Sequence, residues 1–394
     1  MKKRILIFHD KESLKPIGGP CGYLNSLNEG LNQIKQDEIV VDFLPYVNNH
    51  HFRNNRKRAI NNIFFNCLKP IYRALKHYKF IWNILNTQSS ISIDLCQYDL
   101  IHFHSTLDLY KTRSQLKKYS GQVILTSHSP EPLSMEIIEN GYKFEKSIFY
   151  FTYKKLIEMD RFAFNRADYI IFPCSTADEP YLNKWSEYKD IKCKKINGFR
   201  YLLTGTISAK VISKRNTIRN KYSIPLNAFV ICYVGRHNKI KGFERLKEIG
   251  KIILDKYPNV YFLIGGTEFP YKGLKHDRWI EVGWTNEPHS LTNASDIFLL
   301  PNLETYFDLI LLEVLSIGTP IIASNTGGNK YFKNENGIRL FESIEDCLYI
   351  LDEIINFSNA QREEMRVSNI HLYQSNFIPE IFAKNYINLI KTLI

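Results

Sequence analysis

Short runs of apolar residues, most of them closed by His, Ser, Asn or Gly, alternate with longer stretches of helical spacing along almost the whole chain. RILIFHD, followed by a helix expected from about Tyr23, IVVDFLP, DLIHFHS, QVILTSHS and ADYIIFPCS form a first set; AFVICYVG, VYFLIGG, WIEVGW, DIFLLPN and PIIASN form a second. Runs that are apolar on both faces and separated by helical patterns are the mark of buried strands in parallel sheets. Apolar density falls between Gly198 and Asn220, and neither set repeats the other closely. The expectation is therefore two doubly wound α/β domains, residues 1–200 and 201–375. The closing segment 376–394, amphipathic in FIPEIFAKNYINLIKTLI, is expected to pack back onto the first domain. A chain of 394 residues suits two such cores. Ligands of open parallel sheets sit at the carboxyl ends of the strands, so two facing sheets imply one deep cleft.

Composition excludes several classes. The start MKKRILIF is interrupted by His9 and Asp10, which reads as a first strand rather than a signal peptide, and no apolar run approaches the length of a spanning helix. Seven scattered cysteines without a C-x-x-C pair argue for reduced thiols in the cytoplasm and against a zinc site. The net charge of +12 is concentrated: Phe43 to Ile93 holds eight Lys and Arg and no acid. Within it, the segment 53–79 sets Ile60, Ile63, Phe64, Cys67, Leu68, Ile71 and Leu75 at helical spacing against Arg56, Lys57, Arg58, Lys69, Arg73 and Lys76. Two readings stand side by side: a basic amphipathic face for an anionic membrane surface, or a pair of helices, bent at Pro70, packing on their own domain. No nucleic-acid-binding motif accompanies the charge.

The loop after AFVICYV carries Arg236 and Lys241, two cations able to converge on one anion such as a diphosphate. In DIFLLPNLETYFDLILLEVLSIGTPIIASNTGG a strand ends at Pro301 and a helix is expected from near Phe307; its free amides would form an anion site, with Glu313 two turns in. DLIHFHS and VILTSHSPEP end at His104 and His128, the first read as a core histidine and the second as functional. Gly18 and Gly19 would let the first loop approach a ligand closely, in a loop without the G-x-G-x-x-G of a nicotinamide dinucleotide site.

Together these residues resemble glycosyltransferase family 4, the retaining group of the GT-B fold, over nearly the whole chain. The resemblance rests on the strand–GR–x4–KG segment (Arg236, Lys241), the long LLEVLSIGTPIIASNTGG stretch, KPIGGPCGYL, RADYIIFPCS and Asn197-Gly198. It implies that Arg236 and Lys241 bind the diphosphate of a UDP- or GDP-linked sugar, that Glu313 binds the ribose, and that His128 lies by the transferred sugar. It further implies transfer with retention, to a glycan or lipid-linked acceptor, with no metal and no cofactor; the acid-free basic segment 43–93 points to a lipid-linked acceptor at the inner face of the bacterial membrane, and the Lys-, Asn- and Ile-rich composition fits surface-polysaccharide biosynthesis. One departure stands out: in the family's E-x7-E pattern Thr305 occupies the first acidic position and Tyr306-Phe307-Asp308 replaces Gly-Phe-Gly. The sugar end of the site is thus expected among Glu304, Thr305, Phe307, Asp308 and Leu309, with Glu304 or Asp308 serving for the missing acid. The altered motif keeps two rivals in view, a non-catalytic binding subunit and a nucleotide-sugar epimerase.

Overall fold

The computed structural model describes residues 2–9, 19–45, 63–88 and 93–394. Strands β1 (Lys3–His9), β2 (Ile39–Pro45), β3 (Leu100–Phe103), β4 (Gln122–Leu125), β5 (Tyr169–Phe172) and β6 (Phe199–Tyr201) form a sheet of order β2-β1-β3-β4-β5-β6. Strands β7 (Phe229–Val234), β8 (Val260–Gly265), β9 (Trp279–Gly283), β10 (Ile297–Leu300), β11 (Ile321–Ser324) and β12 (Ile338–Phe341) form a second, of order β12-β11-β10-β7-β8-β9. Every pairing is parallel. The chain is thus a two-domain, Rossmann-like α/β protein of the GT-B type.

The cores follow from the apolar runs. On the first sheet, helix Gly19–Gln33 and the last helix, Pro379–Lys391, share one face, packing Tyr23, Leu24, Leu27, Phe382 and Tyr386 on Ile5 and Ile7. Helix Tyr150–Arg166 covers the other face with Ala163 and Phe164. A Cβ at Gly30 would clash with the Pro379 carbonyl, so glycine sets how closely those two helices approach. On the second sheet, helices Phe243–Lys256 and Ile344–Ile355 line one face, and helix Leu309–Ile317 lines the other through Leu311, Leu312 and Leu315.

Three boundaries differ from the sequence reading. The first helix begins at Gly19 rather than near Tyr23, because Pro20 is tolerated in a first turn, where its missing N–H has no partner to lose. The helix through Glu313 begins at Leu309, since Asp308 keeps extended geometry as its N-cap. Ile63–Asn86 runs as one helix through Pro70 and rests on helix Tyr150–Arg166 through Ile81, Ile84 and Leu85 against Leu156 and Met159. Gly18 and residues 53–62 of the basic segment, Arg56, Lys57 and Arg58 included, lie outside the described residues.

Candidate active site

Both sheet orders reverse direction at a central pair of strands, β1/β3 in the first and β7/β10 in the second, and such a reversal opens a crevice at the strand ends. Arg236 and Lys241 follow β7, and Asn302 to Asp308 follow β10. The two loops are tied together: Leu303 N–H donates to the Ile240 carbonyl at 2.9 Å, and Gly242 takes a left-handed φ of 65° where any Cβ would strike the Pro301 carbonyl. Lys241 Nζ stands 2.6 Å from Asp308 Oδ1, while Asn302 Nδ2 donates to the other oxygen of that carboxylate. Asp308 is therefore turned away from the helix it precedes and makes no side-chain cap, leaving first-turn N–H groups of Leu309–Ile317 open to an anion. Arg236 is exposed, and its guanidinium makes no hydrogen bond or ion pair among the described residues. Glu313 lies on the outer side of the same helix, where His289 Nε2 meets its Oε2 at 2.9 Å.

From the first domain three histidines reach the cleft floor in a row. His102 Nε2 meets Thr126 Oγ1 at 2.8 Å and its Nδ1 meets Tyr386 Oη at 3.2 Å; His104 Nδ1 meets His128 Nε2 at 2.8 Å. Burial pushes the imidazoles of His102 and His128 down to about 3 and that of His104 well below its usual value, so all three are neutral at pH 7. His104, read from sequence as a core histidine, stands behind His128 and fixes its ring. Tyr23 packs on both, with ring centroids 5.4 Å from His104 and 4.7 Å from His128.

The sugar-end segment meets this floor. Tyr306 sets its ring 6.5 Å from that of His128 and 5.6 Å from that of Phe172. Phe307 turns the other way, into a cluster with Phe332 and Phe377. Leu309 touches the first helix so closely that a Cβ at Gly22 would come within 2.9 Å of its Cδ1. Gly19, the described one of the two first-loop glycines, opens that same helix with open space around it.

Glu304 pairs across the domains with Lys184 Nζ at 2.7 Å, and the same ammonium lies 2.6 Å from Oε2 of Glu131, a carboxyl only 2% exposed whose pKa burial raises. Beside it Glu179 accepts from Gly327 N–H at 3.1 Å and pairs with Lys330 at 2.6 Å. Sequence reasoning missed Tyr23, Glu131, Glu179, Lys184 and His289. Glu131 alone carried a signal, three residues past His128 in SHSPEP; the others sit on helices where nothing separates them from solvated or core side chains.

Residues 228–355 match the model of a family described as "Glycosyl transferases group 1". The Escherichia coli enzyme UDP-Gal:alpha-D-GlcNAc-diphosphoundecaprenol alpha-1,3-galactosyltransferase is 30% identical over 39% of this chain and 40% of its own. The chain thus spans well under two thirds of that relative's length. Among solved structures, sucrose-phosphate synthase of Thermosynechococcus elongatus superposes with a TM-score of 0.64 at 19% identity over 100% of this chain and 99% of that one. HepE of Anabaena, in complex with UDP-glucose, does so with a TM-score of 0.61 at 14% identity over 99% of this chain and 100% of its own. The match supports a group 1 glycosyltransferase reading of residues 228–355, and the structural likeness, at under 25% identity, supports the GT-B fold alone. The residues matched include Arg236, Lys241 and the whole segment from Glu304 to Glu313.

Proposed function

We propose that this chain transfers a sugar from a UDP- or GDP-linked donor to a glycan or lipid-linked acceptor, with retention of configuration and without a metal, in the biosynthesis of a bacterial surface polysaccharide. The reading is carried by one arrangement: Arg236, whose guanidinium has no partner among the described residues, Lys241 and the uncapped amino end of helix Leu309–Ile317 surround the crevice between β7 and β10. A departing nucleoside diphosphate gains negative charge as the sugar becomes oxocarbenium-like, and fixed donors around it lower that barrier. Arg236 supplies a forked pair of N–H groups, Lys241 a point charge, and the helix its oriented amides. The leaving oxygen can take the acceptor's proton on the face it vacates, which gives retention without a pair of carboxylates. His128, held neutral, serves as a hydrogen-bonding partner to the reacting sugar, and Glu313 with His289 forms the ribose end. The E. coli relative's printed name, with a diphosphoundecaprenol-linked acceptor, supports a lipid-linked acceptor here. A cytoplasmic enzyme held peripherally at the inner membrane face by the basic helix fits that acceptor.

The test is a thermal-shift screen of UDP, GDP and their sugar conjugates. A ligand at a hundred times its Kd adds about 2.7 kcal/mol to stability. Arg236→Ala and Lys241→Ala should each abolish the shift, and wild type with donor and acceptor should release nucleoside diphosphate. A shift that persists in both variants removes the diphosphate site.

A further inference from the structure

Four polar groups buried at the cleft floor have no hydrogen-bond partner among the described residues: the hydroxyls of Tyr23, Thr305 and Tyr306, and Nε2 of His104. Their residues are 4%, 2%, 8% and 6% exposed. Buried polar atoms are nearly always satisfied, so a group of orphans in one place marks where a ligand supplies the missing partners. Three of the four lie together: Tyr23 packs on His104 and His128, and Tyr306 faces His128 across the domain boundary, while Thr305 adjoins Tyr306 in the chain with its methyl beside Gly327. Meanwhile the two carboxylates of the same segment are engaged, Glu304 with Lys184 and Asp308 with Lys241 and Asn302.

We infer that Tyr23, Thr305 and Tyr306 form, with His128, the pocket that reads the hydroxyls of the transferred sugar, and that this sugar is a neutral hexopyranose rather than a uronic acid. This deepens the donor reading above and rests on it. Phenol and threonine hydroxyls both donate and accept, as a hydroxyl-rich ring requires. A sugar carboxylate, by contrast, finds no free cation on this floor among the described residues. Lys184 lies between Glu131 and Glu304, a cluster with a surplus of negative charge when both acids are ionised, and Lys241 is matched by Asp308. Arg236 is exposed and set aside for the diphosphate. Thr305 thus takes over with a hydroxyl what a carboxylate would do at its position, and Glu304 ties the domains together instead of touching sugar.

The experiment uses the full chain and three near-isosteric variants, Tyr23→Phe, Thr305→Val and Tyr306→Phe, with calorimetric titration of UDP, GDP, UDP-glucose, UDP-galactose, GDP-mannose and UDP-glucuronic acid. Each variant should bind nucleoside diphosphate as wild type does and bind the preferred neutral nucleotide sugar about tenfold more weakly. Without ligand, Tyr23→Phe and Tyr306→Phe should melt at the wild-type temperature or above it, because an orphaned hydroxyl has been removed. UDP-glucuronic acid should bind wild type no better than UDP. Unchanged sugar affinity in all three variants, lower melting temperatures of both Tyr→Phe variants, or UDP-glucuronic acid as the tightest ligand would each overturn the inference. Wild type binding none of the six would instead overturn the donor reading, a result visible before any variant is made.

Discussion

Lys241 meets Asp308 at 2.6 Å, so the cation expected to grip a diphosphate is already matched by a carboxylate from the loop after β10. Both side chains are mostly buried, which makes the pair stronger than an exposed one yet still displaceable by a multiply charged ligand. An incoming diphosphate must share Lys241 with Asp308 and meet that carboxylate's repulsion. Asp308→Asn keeps the size of the side chain, leaves an acceptor for Asn302 and frees Lys241. It should tighten nucleoside diphosphate binding by roughly three- to tenfold, a gain of about 1 kcal/mol, read by calorimetric titration. Weaker binding would show that Asp308 positions Lys241 instead of competing for it.

Among the described residues Lys184 is the one ammonium between Glu131 and Glu304, and Glu131 is buried. Lys184→Met keeps the stem and removes the charge, leaving Glu131 without its counter-ion. At pH 7 this should cost about 1–3 kcal/mol of stability. Burial already raises the Glu131 pKa above that of an exposed glutamate, and losing Lys184 raises it further. A carboxyl whose folded pKa exceeds its unfolded one gains stability as pH falls, so the deficit of the variant should shrink between pH 7 and pH 4.5. Urea denaturation at the two pH values checks it; an equal deficit at both would rule out charge as the cause.

The fold was legible because both sheets are buried on two faces, which forces near-continuous apolar runs such as Ile5 to Phe8 and Val230 to Tyr233. The loops holding Arg236, Lys241 and His128 followed from knowing that strand ends face the crevice. What sequence could not give was pairing across the domains. Glu304 and Asp308 differ from other acids only in their partners, Lys184 and Lys241, which arrive from helices and loops far along the chain. Tyr23 reads as one more apolar position of an amphipathic helix, and its orphaned hydroxyl becomes visible only when the residues around it are placed. Helix starts failed for a smaller reason: Pro20 and Asp308 fit either just inside or just outside a first turn.

His102 and His104 are buried and neutral, His102 with an imidazole at about 3 and His104 also well below its ordinary value. In the unfolded chain both protonate near 6.5. Below that pH the unfolded state binds protons that the folded state refuses, so stability is fully present above about 6.5 and falls as pH drops toward 3, by about 1.4 kcal/mol per pH unit for each histidine. Urea denaturation at pH 7, 6 and 5 should show this decline, and His102→Gln should flatten its slope. A wild-type slope that stays level from pH 7 to 5 would contradict the burial of these rings.

Helix Ile63–Asn86 turns Ile81, Ile84 and Leu85 inward and leaves Ile71, Tyr72, Leu75, Phe80 and Trp82 exposed among Lys69, Arg73, Lys76 and Lys79. Its neighbour extends the face: Tyr78 packs on Phe149 with centroids 4.8 Å apart, and Phe144, Ile148, Tyr150 and Phe151 are exposed beside it. Apolar side chains interleaved with cations suit the interface of an anionic bilayer, where each basic residue near the surface adds about 1 kcal/mol. No helix among the described residues is long and apolar enough to cross a membrane, so any attachment through them lies in the interface. The chain should float with vesicles containing anionic lipid and not with purely zwitterionic ones, and high salt should weaken the association. Replacing Lys69, Arg73, Lys76 and Lys79 together by Gln should reduce partitioning by roughly a hundredfold or more. Trp82→Ala with Phe151→Ala should weaken it without changing its salt dependence. Flotation that is unaffected by the four Gln substitutions would assign the basic helix to packing on its own domain alone.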